Sequence, residues 1–298
     1  MRTLLFGFWL SASALVQAAY PPQDPSASLD ALLRDVWAQG VDKAYTLYMG
    51  KSTVPMDPAA RQAFPQAMLD LAKNANVAGI ILQKNKMEFY PQSHLPSPEA
   101  FGGAFFVHFM RSDFNGGSIN ERIYMNVHPN HAAEVIRFVV EELLKPDSSD
   151  RAAPGVDAAA STKRGIVSAK VADPSGLETR ADAILIYAGS LADVDWALGR
   201  LSEYQASHGG YFLKDLPAAT RPRLTGVSTA AEPAASLKSG SFGSYIAHAA
   251  QAAMSQQPPP ADFAEFRSRV RTVMAAEGAD PDHPDVSREG REKVAGLG

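Results

Sequence analysis

The chain has 298 residues, enough for one substantial domain with tails, and 20% of them are charged, as in ordinary globular proteins. Its formal net charge of −4 is too small to direct it to nucleic acid or to an anionic membrane. It contains no cysteine, which excludes a disulfide framework, thiol catalysis and zinc–thiolate sites.

The N-terminal segment predicts export. Arg2 supplies a positive charge, residues 4–16 form an uncharged apolar run, and Ala18 is a small residue at a position that a signal peptidase reads. The run is shorter than the roughly 20 apolar residues that span a bilayer. We expect a secretory signal peptide over 1–18, a linker over 19–28 and a secreted or periplasmic protein, with an N-terminal anchor as the alternative.

Two helical segments are predicted next. Ser28 is placed to cap a helix whose apolar residues recur at helical spacing through Trp37. Residues 56–75 predict a second helical region, interrupted near Pro65 because proline lacks the N–H group that a helix interior needs.

The middle of the chain has the period of β-strands. Residues 104–109 and 122–127 predict two strands, and Asn115-Gly116-Gly117 between them is turn chemistry. Together they predict a hairpin with a long loop. Residues 131–145 then carry apolar side chains at helical spacing, so we expect a helix after the hairpin.

The same layout follows once more. After a surface loop over 146–164, residues 165–172 and 180–187 predict two strands around a turn at 173–176. Residues 191–205 predict an amphipathic helix.

Two hairpin–helix units favour an α+β fold. The expected architecture is an antiparallel sheet built from these two units, with helices packed on one face. We expect this single domain to cover 29–256. A Pro-rich linker and flexible tail are expected over 257–298, with a short charged helix at 262–276.

Alternation along the predicted strands sorts their side chains onto two faces. Tyr187 is expected on the side opposite Arg180 unless a bulge intervenes. The face away from the helices is expected to display His108, Arg122, Tyr124, Asn126, Lys170 and Arg180. Such a cationic floor suits phosphate, which arginine binds bidentately and lysine binds as a point charge. An ordinary solvated sheet face is the alternative.

Other motifs point less clearly to chemistry. His128 and His131 are three residues apart, but the helix start beside them explains them as capping residues and no third ligand is evident, so we expect no metal. Residues 239–243 lead into a helix and either cradle an anion at its N-terminus or form an ordinary helix start. The sequence contains no Walker A, Gly-x-Ser-x-Gly or His-Glu-x-x-His motif.

At these residues the sequence resembles the Hrp outer protein A effectors of plant pathogens, which also look distantly related to the bacterial phosphothreonine lyases. The resemblance covers roughly residues 104–254. It depends on the order and spacing of four segments: Arg122–Pro129, Ser168–Val171, Arg180–Tyr187 and Ser241–Gly243.

The resemblance implies roles for individual residues. The lyases remove phosphate from phosphothreonine by β-elimination, in which a lysine takes the Cα proton and a histidine protonates the leaving oxygen. Lys170 matches the base, and the acid histidine falls on Tyr124, so that either Tyr124 or His108 serves as the acid or elimination has been lost. The implied phosphate ligands are Arg122, Arg180, Tyr187 and Lys238, with Arg223 as a further candidate.

Two functions are compatible with this resemblance. The first is an exported, effector-like carbon–oxygen lyase that needs no cofactor and acts on a phosphorylated protein or peptide, for example one of a host. The second is a non-catalytic secreted effector or host-interaction protein on the same fold. Neither function involves nucleic acid, or a membrane span once the signal is removed.

Overall fold

The computed structural model describes five stretches of the chain: 24–75, 77–112, 119–144, 165–232 and 241–286. The predicted signal peptide over 1–18 and the loop over 146–164 lie outside them. No helix in these stretches combines the length and apolar character needed to cross a membrane.

The described residues form eight α-helices and eight β-strands. The helices are α1 (Pro25–Gln39), α2 (Ala44–Tyr48), α3 (Pro58–Asn74), α4 (Ala132–Phe138), α5 (Pro174–Thr179), α6 (Leu191–His208), α7 (Phe242–Ser255) and α8 (Phe263–Ala276). The strands are β1 (Val77–Gln83), β2 (Met87–Pro91), β3 (Phe106–Arg111), β4 (Glu121–Met125), β5 (Ile166–Ala172), β6 (Ile184–Ala188), β7 (Arg221–Leu224) and β8 (Val227–Ala231). A π-helical turn, Val139–Leu143, extends α4 over the predicted helix.

Helix α1 begins earlier than predicted. Asp24, not Ser28, is its N-cap, and the Asp24 carboxylate accepts a hydrogen bond from the Ser26 N–H group at 3.0 Å. Pro25 suits the first turn, where a missing N–H group costs nothing. The Ser28 hydroxyl instead accepts a hydrogen bond from the Ala219 N–H group at 3.0 Å, which ties α1 to the segment before β7. The predicted linker therefore does not extend past residue 24.

Helix α3 continues through Pro65, so the predicted interruption is wrong. Proline removes one backbone hydrogen bond from a helix interior. The neighbouring Phe64, Met68 and Ala72 are buried in the core. Burial of this apolar stripe offsets the loss of the hydrogen bond.

The eight strands form one antiparallel sheet in the order β2-β1-β3-β5-β6-β4-β8-β7. The predicted α+β class with an antiparallel sheet is confirmed. The predicted first hairpin is wrong, because β5 and β6 lie between β3 and β4. The connection from Ser112 to Asn120 is long enough to pass two strands spaced about 4.8 Å apart. Alternation in sequence fixes which face a side chain occupies, but it does not fix which strand lies next.

The predicted second hairpin is confirmed as the β5–β6 pair. Helix α5 replaces the predicted turn between them. The Asp173 carboxylate caps this helix and accepts a hydrogen bond from the Gly176 N–H group at 2.9 Å. The second strand is shorter than predicted and begins at Ile184, so Arg180 and Asp182 precede it.

Both faces of the sheet are buried, not one. Ile123 and Ile186 lie on one face and are fully buried. Tyr124 and Leu185 lie on the other face and are buried as well. The second face has a cover of its own, because α1, α2, α7 and α8 pack against one another and Tyr48 of α2 reaches the sheet beside Tyr124. The layers therefore differ from the prediction of helices on a single face.

The C-terminal helix belongs to the core, so the predicted domain end at 256 and the flexible tail from 257 are wrong for the described residues. Phe266, Val270 and Met274 of α8 are fully buried, and the Phe266 ring lies 5.4 Å from that of Trp37. Asp285 is buried too, and its backbone carbonyl accepts a hydrogen bond from the Ala231 N–H group at 3.0 Å. This helix is rich in charged residues, but one apolar residue per turn forms a buried stripe that the sequence analysis did not identify.

Truncating Phe266 tests the packing of α8. Phe266→Ala removes a fully buried ring and is expected to lower the free energy of unfolding by about 3–5 kcal/mol. Urea denaturation of the purified chain measures the effect. The matched control is Phe89→Ala, because Phe89 is 56% exposed. Equal effects of the two substitutions would contradict the packing of α8 against the core.

Candidate functional site

The sequence-predicted cationic side chains meet on one face of the central strands. His108 of β3 lies opposite Lys170 of β5, and Arg122 of β4 lies opposite Tyr187 of β6. The Tyr187 ring faces both cations, with its centroid 5.8 Å from Lys170 Nζ and 4.9 Å from Arg122 Cζ. Tyr187 therefore lies on the side of Arg122 and Lys170. We call the group of Phe106, His108, Arg122, Lys170, Arg180 and Tyr187 the lysine site.

Lys170 is the centre of this site. Its Nζ lies 4.0 Å from the centroid of the Phe106 ring, a cation–π contact. No carboxylate of the described residues forms a salt bridge with it. Burial, followed by the charges of Arg122 and Arg180, lowers the pKa of Lys170 to about 7. A substantial fraction of this amine is therefore neutral at physiological pH.

Arg122 is buried and has an acidic partner. Its Nε and Nη2 donate to the two oxygens of Glu232 in a bidentate pair. Burial opposes its charge, but the neighbouring tyrosines and Glu232 outweigh burial and raise the pKa of Arg122. The guanidinium is thus a fixed cation beside Lys170.

Arg180 approaches Lys170 from the segment between α5 and β6. Its Nε and Nη2 donate to the carboxylate of Asp182 at 2.5 and 2.8 Å. Its Cζ lies 4.5 Å from the centroid of the Phe106 ring, which therefore contacts two cationic groups. The sequence placed Arg180 on a strand, whereas the structure places it before β6 at the same site.

Counted over the described residues, the site carries one net positive charge when Lys170 is protonated. Three cations, Lys170, Arg122 and Arg180, and two carboxylates, Glu232 and Asp182, give 3 − 2 = +1. This charge falls to zero when Lys170 loses its proton. An anionic ligand would therefore favour the protonated lysine, and a base function requires the neutral one.

The two candidate acids are poorly suited to donate a proton. Burial, followed by the charges of Lys170 and Arg122, lowers the pKa of His108 to about 3, so its imidazole is neutral at pH 7. Its Nε2 lies 3.0 Å from Gln83 Oε1. Burial raises the pKa of Tyr124 to about 12. Neither group holds a readily released proton near neutral pH.

A third tyrosine, Tyr48, lies next to Tyr124 on what we call the inner side of the site. Tyr48 is buried beside Tyr124, and burial, followed by the Tyr124 hydroxyl, raises the pKa of Tyr48. A Cβ atom at position 243 would lie 2.3 Å from the Tyr48 ring. Glycine at this position lets α7 pack directly on Tyr48. Ser241 caps α7, with its Oγ accepting a hydrogen bond from the Ser244 N–H group at 3.0 Å, which favours the interpretation of this segment as a helix start.

The remaining candidates lie elsewhere. Lys238 is outside the described residues. Arg223 lies on the edge strand β7 and donates to the Thr229 hydroxyl at 3.1 Å. Asn126 follows β4, is fully buried and donates from its side-chain amide to the Asp215 carbonyl at 2.9 Å. Neither Arg223 nor Asn126 is placed at the lysine site.

The histidine pair has structural partners. His128 Nδ1 accepts a hydrogen bond from the Asn130 N–H group at 3.3 Å, which confirms the predicted capping role. The His131 ring stacks on Tyr211 with centroids 3.8 Å apart. Within the described stretches no three His, Asp or Glu side chains are grouped closely enough to hold a metal ion.

Sequence reasoning missed the carboxylate partners and the inner tyrosine. Glu232 lies 110 residues from Arg122 and belongs to no motif, so nothing in the sequence connects the two residues. Tyr48 lies on a five-residue helix that the sequence did not predict. The pairing of Asp182 with Arg180 could have been predicted, because the two residues are only two positions apart in the sequence.

Comparisons with known proteins agree with this architecture. A model described as the HopA1 effector protein family matches residues 95–286, which is more than half of the chain. Among solved structures, the effector protein from Pseudomonas syringae pv. syringae strain 61 is 17% identical with a TM-score of 0.62, over 89% of this chain and 97% of that one. The effector protein from Pseudomonas syringae pv. tomato strain DC3000 is 18% identical with a TM-score of 0.61, over 89% and 99%.

At these identities the structural likeness concerns the fold. No curated protein gave a significant match. The family match confirms the resemblance to Hrp outer protein A effectors that the sequence predicted. The chain belongs to the HopA1 effector protein family.

Proposed function

We propose that this effector acts on a phosphorylated side chain of a target protein and removes its phosphate by β-elimination, with Lys170 as the general base. The single observation that supports this proposal is the lowered pKa of Lys170, about 7, at a site with two further cations. A general base works best when its pKa lies near the working pH. Membership of an effector family is compatible with export from the bacterium.

The chemistry balances without a cofactor. Neutral Lys170 takes the Cα proton of a phosphothreonine or phosphoserine residue, and the C–H electrons form the Cα–Cβ double bond. The Cβ–O bond breaks, and its electron pair leaves with the phosphate. The products are a dehydrated residue, inorganic phosphate and protonated Lys170.

Fixed cations favour the departure of the phosphate. Arg122 and Arg180 are held in place by Glu232 and Asp182, so their orientation does not have to change during the reaction. Preorganised charges of this kind stabilise the negative charge that develops on a leaving group. Protonation of Lys170 by the substrate proton then raises the net charge of the site to +1, beside the departing anion.

The proton that the leaving group needs is expected to come from the substrate. His108 is neutral and Tyr124 is a weak acid, as their pKa values of about 3 and about 12 show. A phosphate monoanion already carries one proton and leaves as the dianion. Elimination through this ionic form requires no acid from the protein.

One observation favours a second candidate function. The same lack of a ready proton donor is what a binding protein for phosphorylated side chains would show. In that case the lysine site holds phosphate by charge, and the protein acts on its partner without chemistry. The two functions differ in what Lys170 must do.

Mass spectrometry of a phosphothreonine peptide separates them. We expect the native chain to produce a residue one water lighter than the dephosphorylated peptide. Lys170→Ala is expected to lower the rate by roughly 10²–10⁴-fold, the usual contribution of a general base. Lys170→Arg is the matched control, because it keeps the positive charge and removes the base.

Peptide binding by the same variants completes this test. For an eliminating enzyme, Lys170→Arg binds the phosphopeptide and yields no product. An unchanged peptide with the native chain, together with roughly tenfold weaker binding by Lys170→Ala, would instead assign the protein to the binding class.

The elimination rate is expected to show a bell-shaped dependence on pH. The neutral fraction of Lys170 rises as the pH passes about 7. The monoanionic fraction of the phosphate falls as the pH passes about 6. Their product is largest at about pH 6.5, which initial rates between pH 5 and pH 9 will locate. A rate that keeps rising to about pH 9 would show that the phosphate dianion reacts, and that a protein group supplies the proton.

A further inference from the structure

In strand β2 the apolar side chains are exposed and the polar side chains are half-buried. Met87, Phe89 and Pro91 are exposed, whereas Glu88 and Tyr90 between them are half-buried. A strand of an antiparallel sheet with one solvated face normally shows the opposite alternation. Contact with solvent therefore does not explain the residues at the exposed positions.

These exposed side chains share a face with the lysine site. Phe89 pairs with Ile81, Ile81 pairs with His108, and His108 pairs with Lys170. Directly opposed residues of antiparallel strands project to the same face. Phe89 therefore lies in the same row across the sheet as Lys170, and Met87 lies on this face two residues away. We call Ile81, Met87 and Phe89 the apolar shelf.

Exposed apolar surface borders the lysine site on two sides. In the described stretches the exposed large apolar side chains are Tyr45, Met87, Phe89 and Phe105. Phe105 precedes Phe106 by one residue, so alternation places its side chain on the opposite face and it does not belong to this surface. Tyr45 lies beside Arg180. Scattered apolar side chains need no explanation, but a group that borders a charged site indicates a binding surface.

We propose that the apolar shelf binds an apolar side chain of the same polypeptide whose phosphorylated residue occupies the lysine site. The inference rests on the function proposed above. The shelf and the lysine site are continuous on one face, and the net charge of +1 at the lysine site complements a phosphate. A phosphorylated segment with an apolar neighbour matches both surfaces together.

The sheet geometry fixes the spacing in the target. Lys170 and Phe89 are three strands apart, which corresponds to about 14 Å. An extended peptide advances about 3.3 Å per residue, and its side chains alternate between two sides. Four residues cover about 13 Å and bring the side chain back to the same side. The expected target therefore carries a large apolar residue four positions from its phosphorylated residue.

Fluorescence anisotropy with labelled peptides tests this spacing. Each peptide has a Ser/Gly background and one phosphothreonine, with leucine four residues away on either side, leucine three residues away, or no leucine. Unphosphorylated versions accompany each one. The proteins are Lys170→Arg, which is expected to bind phosphopeptides without eliminating the phosphate, and the same chain with either the double substitution Met87→Ser/Phe89→Ser or the conservative control Phe89→Leu.

We expect leucine at the fourth position, on one side, to tighten binding by about tenfold, which corresponds to partial burial of one leucine. Leucine at the third position is expected to add less. The double substitution should lose this gain and bind the leucine-free phosphopeptide as Lys170→Arg alone does, and Phe89→Leu should keep the gain.

Four results would overturn the inference. A gain that survives in the double variant would place the leucine elsewhere, and a dimer that dissociates in the double variant would assign the shelf to a second copy. Phosphate-dependent binding without leucine preference would overturn the shelf and leave the proposed function standing. Leucine preference without any effect of phosphate would overturn the proposed function itself.

Discussion

Three cations lie on one face of the sheet, with Arg122 buried and Lys170 and Arg180 half-buried, and this is the constraint on which the rest of the site depends. Removing a charge from water costs several kcal/mol unless a partner compensates it. Arg122 and Arg180 have such partners in Glu232 and Asp182, and an arginine stays charged in any case. Lys170 lacks an acidic partner among the described residues. The charged form of Lys170 is therefore destabilised, and its pKa is lowered for this reason.

The surrounding architecture keeps this arrangement in place. The register of four central strands puts His108, Lys170, Tyr187 and Arg122 on one face. Helix α2 brings Tyr48 against the inner end of the site, and Gly243 lets α7 pack behind it. The C-terminal helix α8 holds α7 through the Tyr245 hydroxyl, which donates to the Met274 carbonyl at 3.0 Å. Segments from both ends of the described chain thus support one polar cluster.

The sequence predicted the contents of the site better than the path of the chain. Alternation alone assigned His108, Arg122, Tyr124 and Lys170 to one face, because the side-chain period of a strand does not depend on its neighbours. Strand order was not predictable. The connection between β3 and β4 is long enough to allow several arrangements, and the observed one places β5, a strand from later in the chain, next to β3. Glu232 and Tyr48 were missed for a related reason, because they reach the site through tertiary packing and carry no local signal. Helix α8 was predicted as a short charged helix within a flexible tail, and its packing in the core was missed because charged residues obscure its apolar stripe.

The pKa of Lys170 decides whether this residue can act as a general base. It can be measured by NMR titration of the chain labelled with ¹³C at lysine Cε, with the Lys170 signal assigned by its absence in Lys170→Arg. We expect a titration midpoint of about 7 for this signal. A midpoint above about 10, the ordinary value for lysine, would remove the basis for a general base at this site.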